Sequence, residues 1–348
     1  MKKIIPSLFI IISIFLLSSC NSALNEYKKN YIYFNTDIEI IIYKDEYPNQ
    51  EFDEINELLS LYHNLTDRYY PHNVNGLYYI NSHSEEVINI QKELFDLIKY
   101  SIDESNKILN DDYLPYFNIL VGSITDIYKE LFDEYLFLEV SDEIYSNLDL
   151  EKEINLDQNS IELDEENLTI KIKENMSIDL GGVVKGYVTS LIADYLDSKE
   201  LYYSIQIGAS SIITNYGNPN RKNNAYLIGL TDPVDTKKIY SILNAPKRKV
   251  IATSGDYQKY FIYNNKRYSH ILNPYKKEPV FSDIRSITIV MDDVKLSDIY
   301  STILYMMGKD KAISYMNLND IDYIIYTIDD EIIVSSNLKK LVTIKKNQ

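Results

Sequence analysis

The sequence runs to 348 residues, 45% of them hydrophobic and 25% charged, which is enough to bury a large core and too apolar for a disordered chain. Its formal net charge of −17 argues against nucleic acid as a partner, because a phosphate backbone is met by basic surface. Any phosphorylated small ligand would have to be held by local positive charge, from a lysine, a helix N-terminus or a metal ion.

Residues 1–19 have the form of a targeting segment: Lys2-Lys3 is a positive start, and Ile4 to Leu17 is an apolar run too short to span a bilayer comfortably. Leu17-Ser18-Ser19-Cys20 looks like a bacterial lipobox, with cleavage before Cys20. Cys20 is the only cysteine of the chain, so an internal disulfide is excluded and lipidation is its expected use. The expected organisation is a signal peptide at 1–19, a lipidated tether at 20–28 and one domain at 29–348, exported and lipid-anchored to the cell membrane, facing the periplasm or the outer surface.

Tyr31 to Tyr43, β-branched and aromatic with partial alternation, predicts a strand. Phe52, Ile55, Leu58, Leu59 and Tyr62 have helical spacing, which predicts a helix over 51–65. Thr66 to His83 is polar and irregular. Ser84 is the expected N-cap of a long helix to about Leu109, with Val87, Ile90, Leu94, Leu97 and Ile98 on its buried side. Tyr113 to Gly122 is an apolar loop leading into another helix, and Glu130 to Asn167 is acidic and of undecided structure.

The stretch from Ile178 to Val188, I-D-L-G-G-V-V-K-G-Y-V, is the centre of the sequence. Ser177 to Leu180 reads as a strand end, Gly181-Gly182 permits a tight turn, and Val183 to about Ser198 is helix-like. A glycine turn at a helix N-terminus can hold a phosphate, and Lys185 adds a full charge there. The same residues also fit a plain turn between packed elements, with a solvated lysine. Short strands are expected at 203–208, 211–215, 225–230, 250–254, 258–263, 267–271 and 284–291. A helix follows over 296–307, ended by Gly308, and then two or three strands within 321–343. Long helices beside a β-meander point to an α+β fold.

Two further constellations can carry chemistry. Asp298 and Thr302 are four apart on the predicted helix and share a face, with Ser301 beside them, and such hard oxygen donors suit Mg²⁺. They could equally be a helix-start carboxylate and a packed threonine. Ala252 to Tyr257 with Arg267 to Pro274 supplies hydroxyl and backbone donors and His270. The other histidines, His63, His72 and His83, show no ligand spacing, and no zinc, Walker A or G-x-S-x-G pattern is present.

Taken in order, D-L-G-G-V-V-K-G-Y, S-G-D-Y, R-Y-S-H-I-L-N-P and S-D-I-Y-S-T resemble the ApbE family of FAD:protein FMN transferases, from about Tyr31 to the C-terminus. The resemblance implies an ApbE-like α+β fold with mixed or antiparallel sheets flanked by helices and an FAD cleft between two lobes. It implies Mg²⁺-dependent transfer of FMN from FAD to a threonine hydroxyl of a target protein, with release of AMP. It also implies acceptors among exported flavoprotein subunits of Rnf- or NADH:quinone oxidoreductase-type complexes. By resemblance, Asp298, Thr302, Ser301 and the Gly182 carbonyl are the metal ligands. Phe34, Tyr116, Phe117, Asn118, Asp179, Lys185, Ser254, Gly255, His270 and Leu272 fall at FAD-contacting positions. His270 or Asp298 would be the base. Where the family has Gly-Gly-Asp, this chain has Gly208-Ala209-Ser210, and Asn273 and Asn118 replace usual aspartates. The intact metal pair favours an active enzyme over its rivals, an FAD pyrophosphatase giving FMN and AMP or a non-catalytic FAD-binding lipoprotein.

Overall fold

The computed structural model describes residues 23–345 apart from residue 209, so the signal segment and Cys20 lie outside the described residues. Its frame is an eight-stranded sheet whose strands lie side by side in chain order. These are β1 (Asn25–Tyr33), β2 (Thr36–Lys44), β3 (Tyr202–Ile207), β4 (Ser211–Thr214), β5 (Lys249–Gly255), β6 (Ile284–Met291), β7 (Asp322–Thr327) and β8 (Ile332–Val334). Every neighbouring pair is antiparallel. The helices and smaller sheets are inserted between successive strands, except for the strand at 342–344, which follows β8, and the mixture fits the α+β expectation.

The two-residue period of a strand decides what covers each face. Ile287, Ile289 and Met291 of β6 pack under α5 (Ser297–Met307) and α6 (Lys309–Leu318). Val290, Ile324 and Tyr326 point the other way, beneath a three-stranded sheet formed by residues 227–231, 239–244 and 342–344. With both faces covered, β6 is apolar almost throughout. At the other end of the sheet, Ile38, Ile40, Ile42, Ile205 and Ile207 meet α1 (Asn49–Thr66), α2 (Lys92–Ser105) and α4 (Val184–Ser198). Phe52, Ile55, Leu59, Tyr62 and Leu65 supply the buried stripe of α1, and each fully buried side chain of this kind contributes roughly 1.5–3 kcal/mol.

Several expectations are corrected. The strand read over Tyr31 to Tyr43 is a hairpin: Tyr33 pairs with Thr36, and Phe34 and Asn35 form a two-residue turn with φ of 53° and 54°. Both central residues of such a turn are left-handed, which suits its twist to the strands, and a Phe-Asn turn inside an apolar run gives little signal. The first strand starts at Asn25, inside the stretch read as tether. Ser84 caps nothing. The helix begins at Lys92, and Ile88 and Ile90 are buried while Val87 is exposed, because a short strand at 88–89 pairs with 169–170. The polar stretch 66–83 contains a short helix at 77–82, and the strand at 239–244 and α6 had no prediction. Gly308, with φ of 76°, ends α5 as expected.

Candidate active site

The approach to the glycine turn is not a strand. It is an extended segment clamped by Asn81, whose amide donates to the Ile178 carbonyl (2.9 Å) and accepts from the Ile178 N–H (2.8 Å). The Asp179 N–H donates to the Ile119 carbonyl (2.7 Å), and Asp179 Oδ1 accepts from the Gly181 N–H (2.8 Å), which bends the chain into the turn. Gly182 lies against the Phe117 ring so closely that a Cβ there would sit 2.8 Å from it. Lys185 donates to the Gly181 carbonyl (2.7 Å), and among the described residues no carboxylate comes within ion-pair distance of it. In a protein of net charge −17, that leaves an uncompensated cation at a helix N-terminus.

The glycine turn and the Asp298 helix meet through an atom that sequence reasoning missed. The Gly186 N–H, which could close the first turn of α4 onto the Gly182 carbonyl, instead donates to Asp298 Oδ2 (2.7 Å). Among the described residues no other donor is recorded at the Gly182 carbonyl. Asp298 Oδ1 accepts from the Ser211 hydroxyl (2.7 Å), so the buried carboxylate is oriented from β4 and from α4. A side chain at Gly186 would be tight, since a Cβ there would lie 3.2 Å from the Lys295 carbonyl and 3.4 Å from Asp298 Cβ. Thr302 donates to the Asp298 carbonyl (2.9 Å), one turn back on α5. Ser254, at the end of β5, donates to Ser301 (2.9 Å) and lies 3.5 Å from Thr302. The cluster is one carboxylate and four hydroxyls, those of Ser211, Ser254, Ser301 and Thr302, all hard oxygens, with the Gly182 carbonyl four residues before the N–H that binds Asp298. This set fits Mg²⁺, so the residues present match the metal the family resemblance implies.

His270 is exposed. Its Nδ1 lies 3.2 Å from the Lys259 carbonyl, which can only accept, so Nδ1 carries the proton and Nε2 keeps its lone pair. Crowding by the surrounding walls pushes the imidazole below its ordinary range, and the Lys185 and Lys259 ammoniums push the same way; the Lys259 carbonyl opposes them. The residue's exposed edge lets water temper the crowding. Crowding and the two ammoniums both favour the neutral imidazole.

The remaining FAD candidates divide. Phe34 sits in the hairpin turn, and Tyr116 lines a cleft of about 230 Å³ with Asn273, Pro274, Tyr275, Lys276 and Met306. Phe117 is buried against Gly182. Packing limits what the other three can offer a ligand. The Asn118 amide is spent internally, accepting from the Leu120 N–H (2.9 Å) and donating to the Leu156 carbonyl (2.9 Å). Gly255 faces the next strand, where a Cβ would meet the Arg285 carbonyl at 2.5 Å. The Leu272 side chain is buried with Tyr128, Phe132 and Phe261, leaving only its backbone for a ligand.

Arg68 was also missed. Its buried guanidinium makes a two-pronged pair with Asp126 (2.9 Å each), donates to Ser177 (2.8 Å) and lies 3.7 Å from Asp179, tying α3 (Gly122–Glu134) to the glycine turn. His63 and His72, which show no ligand spacing in the sequence, are brought together by the loop after α1, which folds back and sets both beside Asp67 with ligand atoms within 4.8 Å of one another.

The ApbE family model matches residues 34–325, most of the chain. The chain belongs to the ApbE family. An FAD:protein FMN transferase of Klebsiella pneumoniae (strain 342) is 26% identical over 252 residues, 72% of this chain and 73% of the relative. One from Vibrio cholerae is 30% identical over 156 residues, 44% of this chain and 46% of the relative. Among solved structures, the ApbE protein of Thermotoga maritima MSB8 superposes with a TM-score of 0.74 at 22% identity, covering 91% of this chain and 99% of its own. The flavin transferase ApbE of Vibrio cholerae gives 0.69 at 20% identity with the same coverage. The antiparallel α+β architecture is thus the ApbE fold.

Proposed function

We propose that this ApbE-family chain is an FAD:protein FMN transferase that uses Mg²⁺, moves FMN from FAD to a threonine hydroxyl of an exported acceptor, and releases AMP. Membership of a family whose curated relatives carry that activity supports the reaction class. The observation that carries the finer reading is the union of the glycine turn with Asp298 through the Gly186 N–H.

In this reading Asp298, Thr302, Ser301 and the Gly182 carbonyl would hold the metal, which would supply positive charge against the pyrophosphate and the leaving AMP. Lys185 and the N-terminus of α4 supply further positive charge for the phosphates. The threonine oxygen bonds to the flavin-side phosphorus, the bond from that phosphorus to the bridging oxygen breaks, and AMP leaves. His270 Nε2 takes the threonine proton. It suits that task better than Asp298, whose two oxygens already accept hydrogen bonds inside the protein. Cys20 would be lipidated, holding the enzyme on the outer face of the membrane beside acceptors in Rnf- or NADH:quinone oxidoreductase-type complexes.

The test is incubation with FAD and Mg²⁺, with and without a threonine-bearing acceptor. Covalent flavin fluorescence on the acceptor supports the proposal. FMN and AMP formed at equal rates without acceptor would mean hydrolysis, and no product would mean binding alone.

A further inference from the structure

We propose that His63, Asp67 and His72 form a second metal site, for a zinc-like divalent transition ion, distinct from the oxygen-rich Asp298 cluster. Their ligand atoms all lie within 4.8 Å of one another, close enough to converge on one ion. The arrangement is built by the fold. His63 lies in the last turn of α1, and Asp67 caps that helix with its N–H on the His63 carbonyl (2.9 Å), so the two share one face. The loop then returns His72, whose Nε2 lies 2.7 Å from Asp67 Oδ2.

The carboxylate is prepared on its far side. Asp67 Oδ1 accepts from the N–H groups of Tyr69 (2.8 Å) and Tyr70 (3.2 Å), which fixes the group and leaves Oδ2 directed at the imidazoles. Burial alone would raise this carboxyl, but His72 and those two N–H groups outweigh it and hold Asp67 below its ordinary range. Burial lowers His63 most, His72 adds to it and Asp67 opposes, which favours the neutral ring a metal requires. His63 Nδ1 accepts from the Phe34 N–H at 3.4 Å, so a bound ion displaces either that long contact or the Nε2 proton. Arg68, next along the chain, does not compete for Asp67 because it is committed to Asp126 and Ser177.

Two imidazoles and one carboxylate select zinc-class ions over Mg²⁺, which prefers oxygen, and three protein ligands leave a position for water. The site adjoins the hairpin turn, where the Phe34 and His63 rings lie 5.8 Å apart. A bound ion would therefore fasten the loop after α1 beside that turn.

The test uses Co²⁺ as a visible-absorbing stand-in for Zn²⁺, titrated into the full-length, chelator-stripped protein in the presence of saturating Mg²⁺. The expected result is a tetrahedral-type Co²⁺ spectrum saturating at one ion per chain and displaced by Zn²⁺. His63→Ala and His72→Gln should each weaken binding more than about 100-fold, beyond the roughly 10–100-fold effect of residues that only support a ligand. His83→Ala, at a histidine stacked on Tyr79 and not among the grouped residues, should leave binding unchanged. A melting temperature without metal close to that of the parent shows that His72→Gln still folds. Parental Co²⁺ affinity in both His63→Ala and His72→Gln, displacement by Mg²⁺, or no spectrum at all would overturn the site.

Discussion

Gly186→Ala tests the contact on which the active-site geometry depends. The added methyl would lie 3.2 Å from the Lys295 carbonyl, 3.3 Å from the Val294 carbonyl and 3.4 Å from Asp298 Cβ, so α4 and α5 must separate by a few tenths of an ångström. Relief of glycine's helix penalty contributes about 1 kcal/mol, and overpacking at such a contact costs about 1–3 kcal/mol. The net change in stability should run from near zero to about 2 kcal/mol unfavourable, a fall of a few degrees in Tm. Function should suffer far more. The methyl wedges open the same contact that seats the Gly186 N–H on Asp298 Oδ2 at 2.7 Å. A charge-assisted bond of this kind is worth about 1.5–3 kcal/mol, equivalent to roughly 10–100-fold in metal affinity or rate. The assay is flavin transfer to a threonine-bearing acceptor as a function of Mg²⁺, beside a thermal melt. A variant with the expected melt but parental turnover and Mg²⁺ dependence would refute the claim that Gly186 positions Asp298.

Asp298→Asn should lose metal-dependent turnover while folding, because one amide oxygen can still accept from Gly186 or Ser211; a melt and a Mg²⁺ titration of activity read both effects. His270→Gln should lower transfer about 10²–10⁴-fold, the range for removal of a general base, and leave Mg²⁺ binding unchanged. With His270 held below its ordinary 6.5, the acid limb of the rate profile should fall below that value, since protonation removes the base. The sign for stability is the same: just below pH 6.5 the unfolded chain takes up a proton that folded His270 refuses, so His270 makes stability fall with pH in the parent but not in His270→Gln, which paired melts will check. Arg68→Ala should cost about 3 kcal/mol, the low end for breaking a buried pair because the Asp126 side chain is 41% exposed, as read by denaturant unfolding.

Local chemistry was legible where one element carried its own signal. The Gly181-Gly182 turn, the helix behind Lys185, β6 and the helix ended by Gly308 follow from spacing and from glycine's conformational freedom, which act over a few residues. The shared face of Asp298, Ser301 and Thr302 follows from helical geometry in the same way. The hairpin at Phe34 escaped because Phe-Asn gives little turn signal inside an apolar run, and the strand at 88–89 because its short apolar run fits both a strand and a helix until a partner segment chooses between them.

Only the tertiary structure decided which distant groups meet. Gly186 and Asp298 are 112 positions apart, and nothing in either segment announces that a backbone N–H of one will orient the carboxylate of the other. His63 at the end of a helix and Asp67 and His72 in the loop behind it carry no ligand signal until the chain turns back after α1. The physical reason is that helix and strand patterns record which face is buried, whereas the identity of the neighbour is set by packing of the whole sheet and its insertions.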